Sequence, residues 1–290
     1  MEMNHLSRQI VGWLFQTGAV RVSPPDNPYW YTSGLIGPYY VNTHFLYGSE
    51  GQANQLLQLI DDTKDRPLVC AQAVRSALWS NYHADPIFRQ VTDALVQYIR
   101  DHCNWQQVDA ISGGERRDWF FSLLPAEILG QPHLMIFKDR QVVLCGEQAR
   151  QISQLVGKRI LHISDLITEA SSYLRAWIPA LVDRGATMVE TVTVIDRQQG
   201  GREVLTQQGV PMHSLVKISR GLFHEAKSQG HITADQLRLI FSYLDDPYVS
   251  MRTFLLQRPA FLQSALAEGG KSKERAQRLL EQDLYRLKEA

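Results

Sequence analysis

Beyond Trp105 the chain changes period, and short apolar runs begin to alternate with helical segments. The apolar runs fall at residues 108–111, 134–137, 160–163, 188–195 and 213–218. Between them, residues near 119–129, 172–184 and 202–208 carry helical spacing. Strands alternating with helices of this length have both faces covered, which predicts an α/β fold with a mainly parallel sheet flanked by helices. In such a sheet a ligand sits outside the carboxyl ends of the strands. Gly113, Lys138, Asp165 and Asp196 all fall at those ends, so they are expected along one shared edge.

The flanks read differently. Leu6, Ile10, Val11, Leu14 and Phe15 give residues 5–17 the spacing of an amphipathic helix closed by Gly18. Residues 20–45 are aromatic and turn-rich, and the runs at 29–32 and 39–41, parted by Ser33-Gly34 and Gly37-Pro38, predict a small antiparallel hairpin. Helices are expected over 51–60 and 87–102, joined by a connection containing Pro67 and Pro86. From Gly221 onward the pattern is helical, with caps at Thr233 and Ser272, breaks at Pro247, Pro259 and Gly269-Gly270, and a charged final helix. A serial division follows: residues 1–220 form the α/β domain with an N-terminal hood and a helical insertion, and residues 221–290 a helical extension.

Charge and cysteine usage exclude several function classes. Thirty basic and thirty acidic residues cancel, so no long-range field favours nucleic acid or an anionic membrane as a partner. No apolar run approaches the roughly 20 residues that span a bilayer. The N-terminus lacks the basic start and apolar core of a signal peptide, so the expected location is cytoplasmic. Cys70, Cys103 and Cys145 are widely spaced and the nine histidines show no ligand pattern, so neither a disulfide framework nor a metal site is expected.

The chemistry concentrates in residues 159–172, RILHISDLITEASS. An apolar strand that ends in an acid and feeds a small-residue turn into a helix suits a sugar phosphate. Asp165 would take ribose hydroxyls, while the turn amides with Thr168, Ser171 and Ser172 would take the phosphate. Asp165 is also of a type that caps a following helix. At the turn itself stand Glu169 and Ala170, where a phosphate favours a neutral side chain and a glycine.

Three segments in order carry a family resemblance. They are Thr32-Ser33-Gly34 with Gly37-Pro38-Tyr39-Tyr40-Val41-Asn42, then residues 162–172, then VIDRQQGG at 194–201. Over residues 6–218 the chain resembles orotate phosphoribosyltransferase, of the type I phosphoribosyltransferase family. The resemblance implies transfer of ribose 5-phosphate from phosphoribosyl diphosphate to a base, with magnesium, pyrophosphate release and a two-fold homodimer. The exposure of residues 29–46 expected in a monomer points to the same dimer.

Carried over position by position, the resemblance makes Arg197 and Tyr39 base contacts and Lys138 a catalytic cation. Arg140 is a substitute for the missing cation of a flexible loop that residues 139–151 shorten. Arg116 and Arg117 would meet pyrophosphate, or else be neutralised by Glu115 and Asp118. Arg197 is alternatively half of a salt bridge with Asp196, and Lys138 a solvated strand-end lysine. Thr32 and Leu35 stand where the family has lysine and arginine, and Ser164 replaces the first of two ribose acids. Each lost donor to a developing anion costs about 2.7–4 kcal/mol, so two or three such losses would reduce turnover by several powers of ten.

The expected function is therefore that of an orotate phosphoribosyltransferase-like protein whose transferase activity is lost or altered. Its cleft would retain a nucleotide, a base or another small anion. One alternative is an active transferase that uses Arg116, Arg117, Lys138 and Arg140 with Mg2+, a metal that enters only with activity. The other is a non-enzymatic scaffold acting through residues 221–290.

Overall fold

The computed structural model describes residues 5–287, which form two compact units. One unit unites the two ends of the chain: residues up to 15, residues 19–42, and residues from 219 onward. The other holds residues 16–18 and 43–218. The chain is thus not cut serially near 220.

The first helix, α1 (His5–Gln16), stops ahead of Gly18, whose φ of 73° is the left-handed conformation that ends helices. Four short strands follow: β1 (Val20–Val22), β2 (Tyr29–Trp30), β3 (Ile36–Gly37) and β4 (Tyr39–Val41). They pair as β1 with β4 and β2 with β3, both antiparallel. The run at 39–41 is therefore not the partner of the run at 29–32. The turn at Gly34, with φ of 90°, folds β2 back onto Ile36-Gly37, and Tyr39–Val41 is left to meet the first strand.

In the larger unit's main segment a 3-10 turn (Thr43–Tyr47) is followed by three consecutive helices: α2 (Glu50–Thr63), α3 (Pro67–Ala84) and α4 (Pro86–His102). The stretch read as a connection is a full helix. Pro67 and Pro86 stand in first turns, where a missing N–H breaks no intrahelical bond. Asp85 caps α4 by accepting from the amides of Ile87 and Phe88, both at 2.9 Å.

The remainder alternates as its period predicts. It runs β5 (Ala110–Gly114), α5 (Trp119–Ile128), β6 (His133–Ile136), β7 (Val142–Cys145), β8 (Arg150–Gln151) and β9 (Arg159–Ile167). A π-helical turn (Tyr173–Trp177) leads into α6 (Ile178–Val182), then β10 (Thr187–Asp196), α7 (Gly201–Gln207) and β11 (Met212–Lys217). One seven-stranded sheet results, in the order β11-β10-β9-β5-β6-β7-β8. The pairs from β11 through to β6 are parallel, while β7 and β8 add an antiparallel edge. Residues 139–151, expected as a shortened loop, instead build that edge, because a tight turn at Arg140 returns the apolar run Val142–Cys145 alongside β6.

Five helices complete the smaller unit: α8 (Arg220–Ser228), α9 (Ala234–Asp245), α10 (Pro247–Gln257), α11 (Pro259–Glu268) and α12 (Gly270–Glu281). Thr233 caps α9 through a reciprocal capping box with Gln236. Ser272 lies inside α12, whose cap position is Gly269. These helices and the hood strands share one core, in which Trp30, Ile36, Met251, Phe254, Leu279 and Tyr285 are buried. Trp30 stacks on Phe261 at 5.3 Å, and Tyr39 packs against Phe223 and Tyr243. The aromatic hood is covered by its own chain, so the exposure argument for a homodimer does not hold.

Candidate functional site

At the carboxyl ends of β5, β6 and β9 lies a cleft of about 380 Å³, of small-molecule size. Residues 115–118, Lys138, residues 164–173 and Trp177 line it. Of the residues singled out from sequence, it brings together Arg116, Arg117, Lys138, Asp165, Thr168, Ser171 and Ser172. Glycine shapes its floor: a Cβ at Gly114 would collide with the Trp177 indole, and one at Gly201 with the Ile167 side chain and the Thr168 carbonyl. The Gly201 amide donates to that carbonyl at 2.9 Å, which fixes the start of the turn.

The turn holds the features of an anion cradle together with a defect. Among the described residues none accepts a hydrogen bond from the amides of Glu169 to Ser172. Ala170 is buried and adopts φ of 54°, a left-handed conformation that costs an L-residue about 1–2 kcal/mol. The backbone therefore keeps the shape a glycine would adopt freely, with a Cβ added. Glu169 is exposed at the cleft wall.

Beneath the turn two carboxyl groups face each other. Asp118 is buried at the head of α5 and accepts from the amides of Gly114 at 3.1 Å and Asp165 at 3.0 Å. Burial raises its pKa to about 6 against those bonds. Asp165 is raised well above the carboxylate range, first by burial and then by the Asp118 charge. The pair titrates as a unit and holds a proton where isolated carboxyls would have lost it. In the alternative reading of residues 115–118 Asp118 neutralises surface arginines, but its burial under the turn leaves no mark in the sequence except its place before the apolar helix 119–128.

Behind the acids the wall is neutral and hydrogen-bonded. The Tyr173 hydroxyl meets Ser164 Oγ at 2.9 Å and Thr191 Oγ1 at 2.8 Å, so the serine in the acid's place serves packing. His162 Nδ1 contacts Ser112 Oγ at 2.9 Å, and its Nε2 lies 3.6 Å from Asp118. Burial holds the His162 pKa down at about 3, so that contact is not an ion pair.

The cations are distributed unevenly. Arg116 is tied to Asp61 of α2, so a residue far away in sequence, and not Glu115, neutralises it. Glu115 instead accepts from the Lys138 amide at 3.0 Å. Arg117 faces the cleft, and its charge opposes that of the two acids. Arg140 lies apart, bonded to the Arg175 carbonyl at 3.0 Å and lining a separate depression with Asp139, Asp183 and Arg184. Its expected place in the cleft is not what the fold gives, because the turn that starts β7 carries it away.

Two base-side candidates also fall elsewhere. Tyr39 belongs to the smaller unit, its ring buried among Phe223 and Tyr243 and its carbonyl bonded by the Tyr31 hydroxyl. Arg197 follows β10, where its amide donates to the Ile167 carbonyl at 3.0 Å and its buried Nε has no partner among the described residues. Asp196 pairs with Arg202 at 3.5 Å, so the Asp196–Arg197 salt bridge is not formed.

No family model matches the chain. The orotate phosphoribosyltransferase of Aquifex aeolicus is 38% identical over 72 residues, covering 24% of this chain and 39% of that protein. That of Methanopyrus kandleri is 27% identical over 134 residues, 46% of this chain and 68% of the relative. The matches to the first three curated relatives span 39%, 51% and 35% of their lengths. Among solved structures, UMP synthase from Leishmania donovani aligns with a TM-score of 0.54 at 16% identity, over 82% of this chain and 41% of that one. Orotate phosphoribosyltransferase from Francisella tularensis aligns at 0.52 and 14% identity, over 81% and 96%.

Sheet order, cleft position and these alignments define the fold of the type I phosphoribosyltransferases. Within that fold, the stretches of the chain that match curated proteins are similar in sequence to orotate phosphoribosyltransferases.

Proposed function

We propose that the cleft binds a phosphorylated ribose, free or as part of a nucleotide, and that the chain no longer transfers it to a base. The observation that carries this reading is the turn after β9, whose unengaged amides at 169–172 stand beside Arg117 and Lys138. A phosphate there would receive backbone donors from a helix start, an arrangement suited to anions. Transfer asks for more. Pyrophosphate leaves with high negative charge and needs cations already aimed at it. Here Arg116 is held by Asp61 and Arg140 lies outside the cleft.

Magnesium does not fit the side chains present. Asp118 spends its oxygens on two amides, Ser164 stands in place of the second acid, and Asp165 retains its proton above the usual range. A hard cation prefers several ionised oxygen ligands.

Calorimetry with ribose 5-phosphate, with and without Mg2+, tests the binding half. Saturable binding is expected, weakened about tenfold or more, equivalent to ~1.4 kcal/mol, in Arg117→Ala. An assay of pyrophosphate release with orotate and phosphoribosyl diphosphate tests the other half, and no turnover above background is expected. Turnover would show that a rebuilt cation set operates; absence of any binding would leave the cleft a relic in a scaffold. A homodimer and a cytoplasmic location remain part of the proposal, and light scattering at twice the 33.1 kDa chain mass is the expected result for the first.

A further inference from the structure

At the other end of the same sheet three potential ligands meet. Glu190 lies near the amino end of β10, His213 is the second residue of β11, and Cys103 follows the last turn of α4. One ligand atom from each lies within 4.8 Å of the other two. Glu190 and Asp196 are six positions apart on one strand, so this cluster is about 20 Å from the strand's cleft end at about 3.3 Å per residue.

We propose that Cys103, Glu190 and His213 form a binding site for a divalent transition metal ion of the zinc class. A thiolate, an imidazole nitrogen and a carboxylate oxygen together are the donor set that borderline ions of this kind take, whereas Mg2+ and Ca2+ favour oxygen alone. All three ligands stand on or beside regular elements. The register of β10 against β9 shifts between Met188 and Glu190, an irregularity of the sort that re-aims a side chain. Cys103 is fixed by its amide, which donates to the Ile99 carbonyl at 3.0 Å.

Further contacts orient the cluster. Glu190 Oε2 accepts from the Asn104 amide at 3.2 Å, which leaves Oε1 directed at His213 Nε2 at 2.7 Å. Such outer bonds hold a metal-binding carboxylate in place. With bonds of about 2.0–2.3 Å, tetrahedral ligands stand about 3.3–3.8 Å apart. The Glu190–His213 pair must therefore open by about 0.6 Å and the thiol close in, which are side-chain motions. Cys103 and His213 are both partly exposed, giving the ion a way in and room for a water as fourth ligand. Bound there, the ion would link the edge strand β11 and its neighbour β10 to the end of α4. The sequence gives no sign of such a site, because its ligands come from three distant segments.

The test uses the full chain, stripped with EDTA and titrated with Co2+ as a spectroscopic probe and with Zn2+ against a chromophoric chelator. A thiolate-to-cobalt charge-transfer band should saturate at one equivalent per chain and vanish in Cys103→Ser, while Cys70→Ser and Cys145→Ser retain it. His213→Gln should lower Zn2+ affinity more than about tenfold. Zn2+ should raise the melting temperature of the parent but not of Cys103→Ser. Metal-free melting curves serve as the folding control; if Cys103→Ser fails it, His213→Gln, altered at a partly exposed position, carries the same comparison. No band in the parent, a band that survives Cys103→Ser, or unchanged Zn2+ affinity in His213→Gln would overturn the proposal.

Discussion

The hood that contains residues 32–42 and the segment 162–172 both carry the family resemblance, yet the fold treats them in opposite ways. In the first, the polar backbone is taken up by the chain's own helices. Arg275 donates to the Trp30 carbonyl at 2.8 Å, Arg278 to the Thr32 carbonyl at 2.7 Å, and the Tyr285 hydroxyl meets both the amide and the carbonyl of Ile36. In the second, four successive amides have no acceptor among the described residues, and Ala170 is held in a left-handed conformation. A motif keeps a ligand role only where its donors are left unspent. The hood of this chain has become a packing surface, and the turn after β9 has not.

Tyr285 is where the comparison breaks most sharply. Tyr285→Ala removes a fully buried ring and both bonds to Ile36, and should cost about 3–5 kcal/mol in denaturant unfolding. Tyr285→Phe keeps the ring but leaves a buried amide and carbonyl of Ile36 without that partner, for about 1–3 kcal/mol. A loss below about 1 kcal/mol in the alanine variant would mean that hood and C-terminal helices are not one core.

Acid should strike the larger unit. His44, His133 and His162 are each held near 3 by burial, so all three stay neutral in the folded chain. Below the ordinary value of 6.5 the unfolded chain takes up protons that the folded chain refuses, and stability falls with pH until about 3. Asp118 and Asp165 act in the opposite sense, since their raised values favour the folded state as they protonate. The three histidines lose stability as the pH falls and the two carboxyls offset part of that loss, so the folded state should be less stable at pH 4 than at pH 6.5. Urea titrations at the two values measure it, and His162→Gln should flatten the dependence.

The turn can be sharpened in the other direction. Glu169→Thr with Ala170→Gly removes a charge and a Cβ beside the unspent amides, and should raise affinity for ribose 5-phosphate about tenfold, ~1.4 kcal/mol. Calorimetry on the double variant decides whether the turn limits binding. Ala170→Gly alone should change stability least. Relief of the left-handed strain exceeds the added freedom of the unfolded chain, for a gain of about 0.5–1 kcal/mol.

What the sequence determined by itself was local. The change of period after Trp105 located the five strands that pair in parallel, Gly18 and Thr233 marked a helix end and a helix start, and the acid-turn-helix pattern at 165–173 placed the cleft's turn at the carboxyl end of β9. Each of these signals spans a few residues and acts through backbone conformation or hydrophobic spacing, so one dimension suffices to read it. The tertiary structure decided the pairing of β1 with β4, the cover over Tyr39, the tie between Asp61 and Arg116, the removal of Arg140 and the facing of Asp118 with Asp165. It also brought Cys103, Glu190 and His213 together. A charge is available or spent, and a carboxyl ionised or neutral, according to which groups the folded chain sets within a few ångströms of it, and the order of residues along the chain does not specify those neighbours.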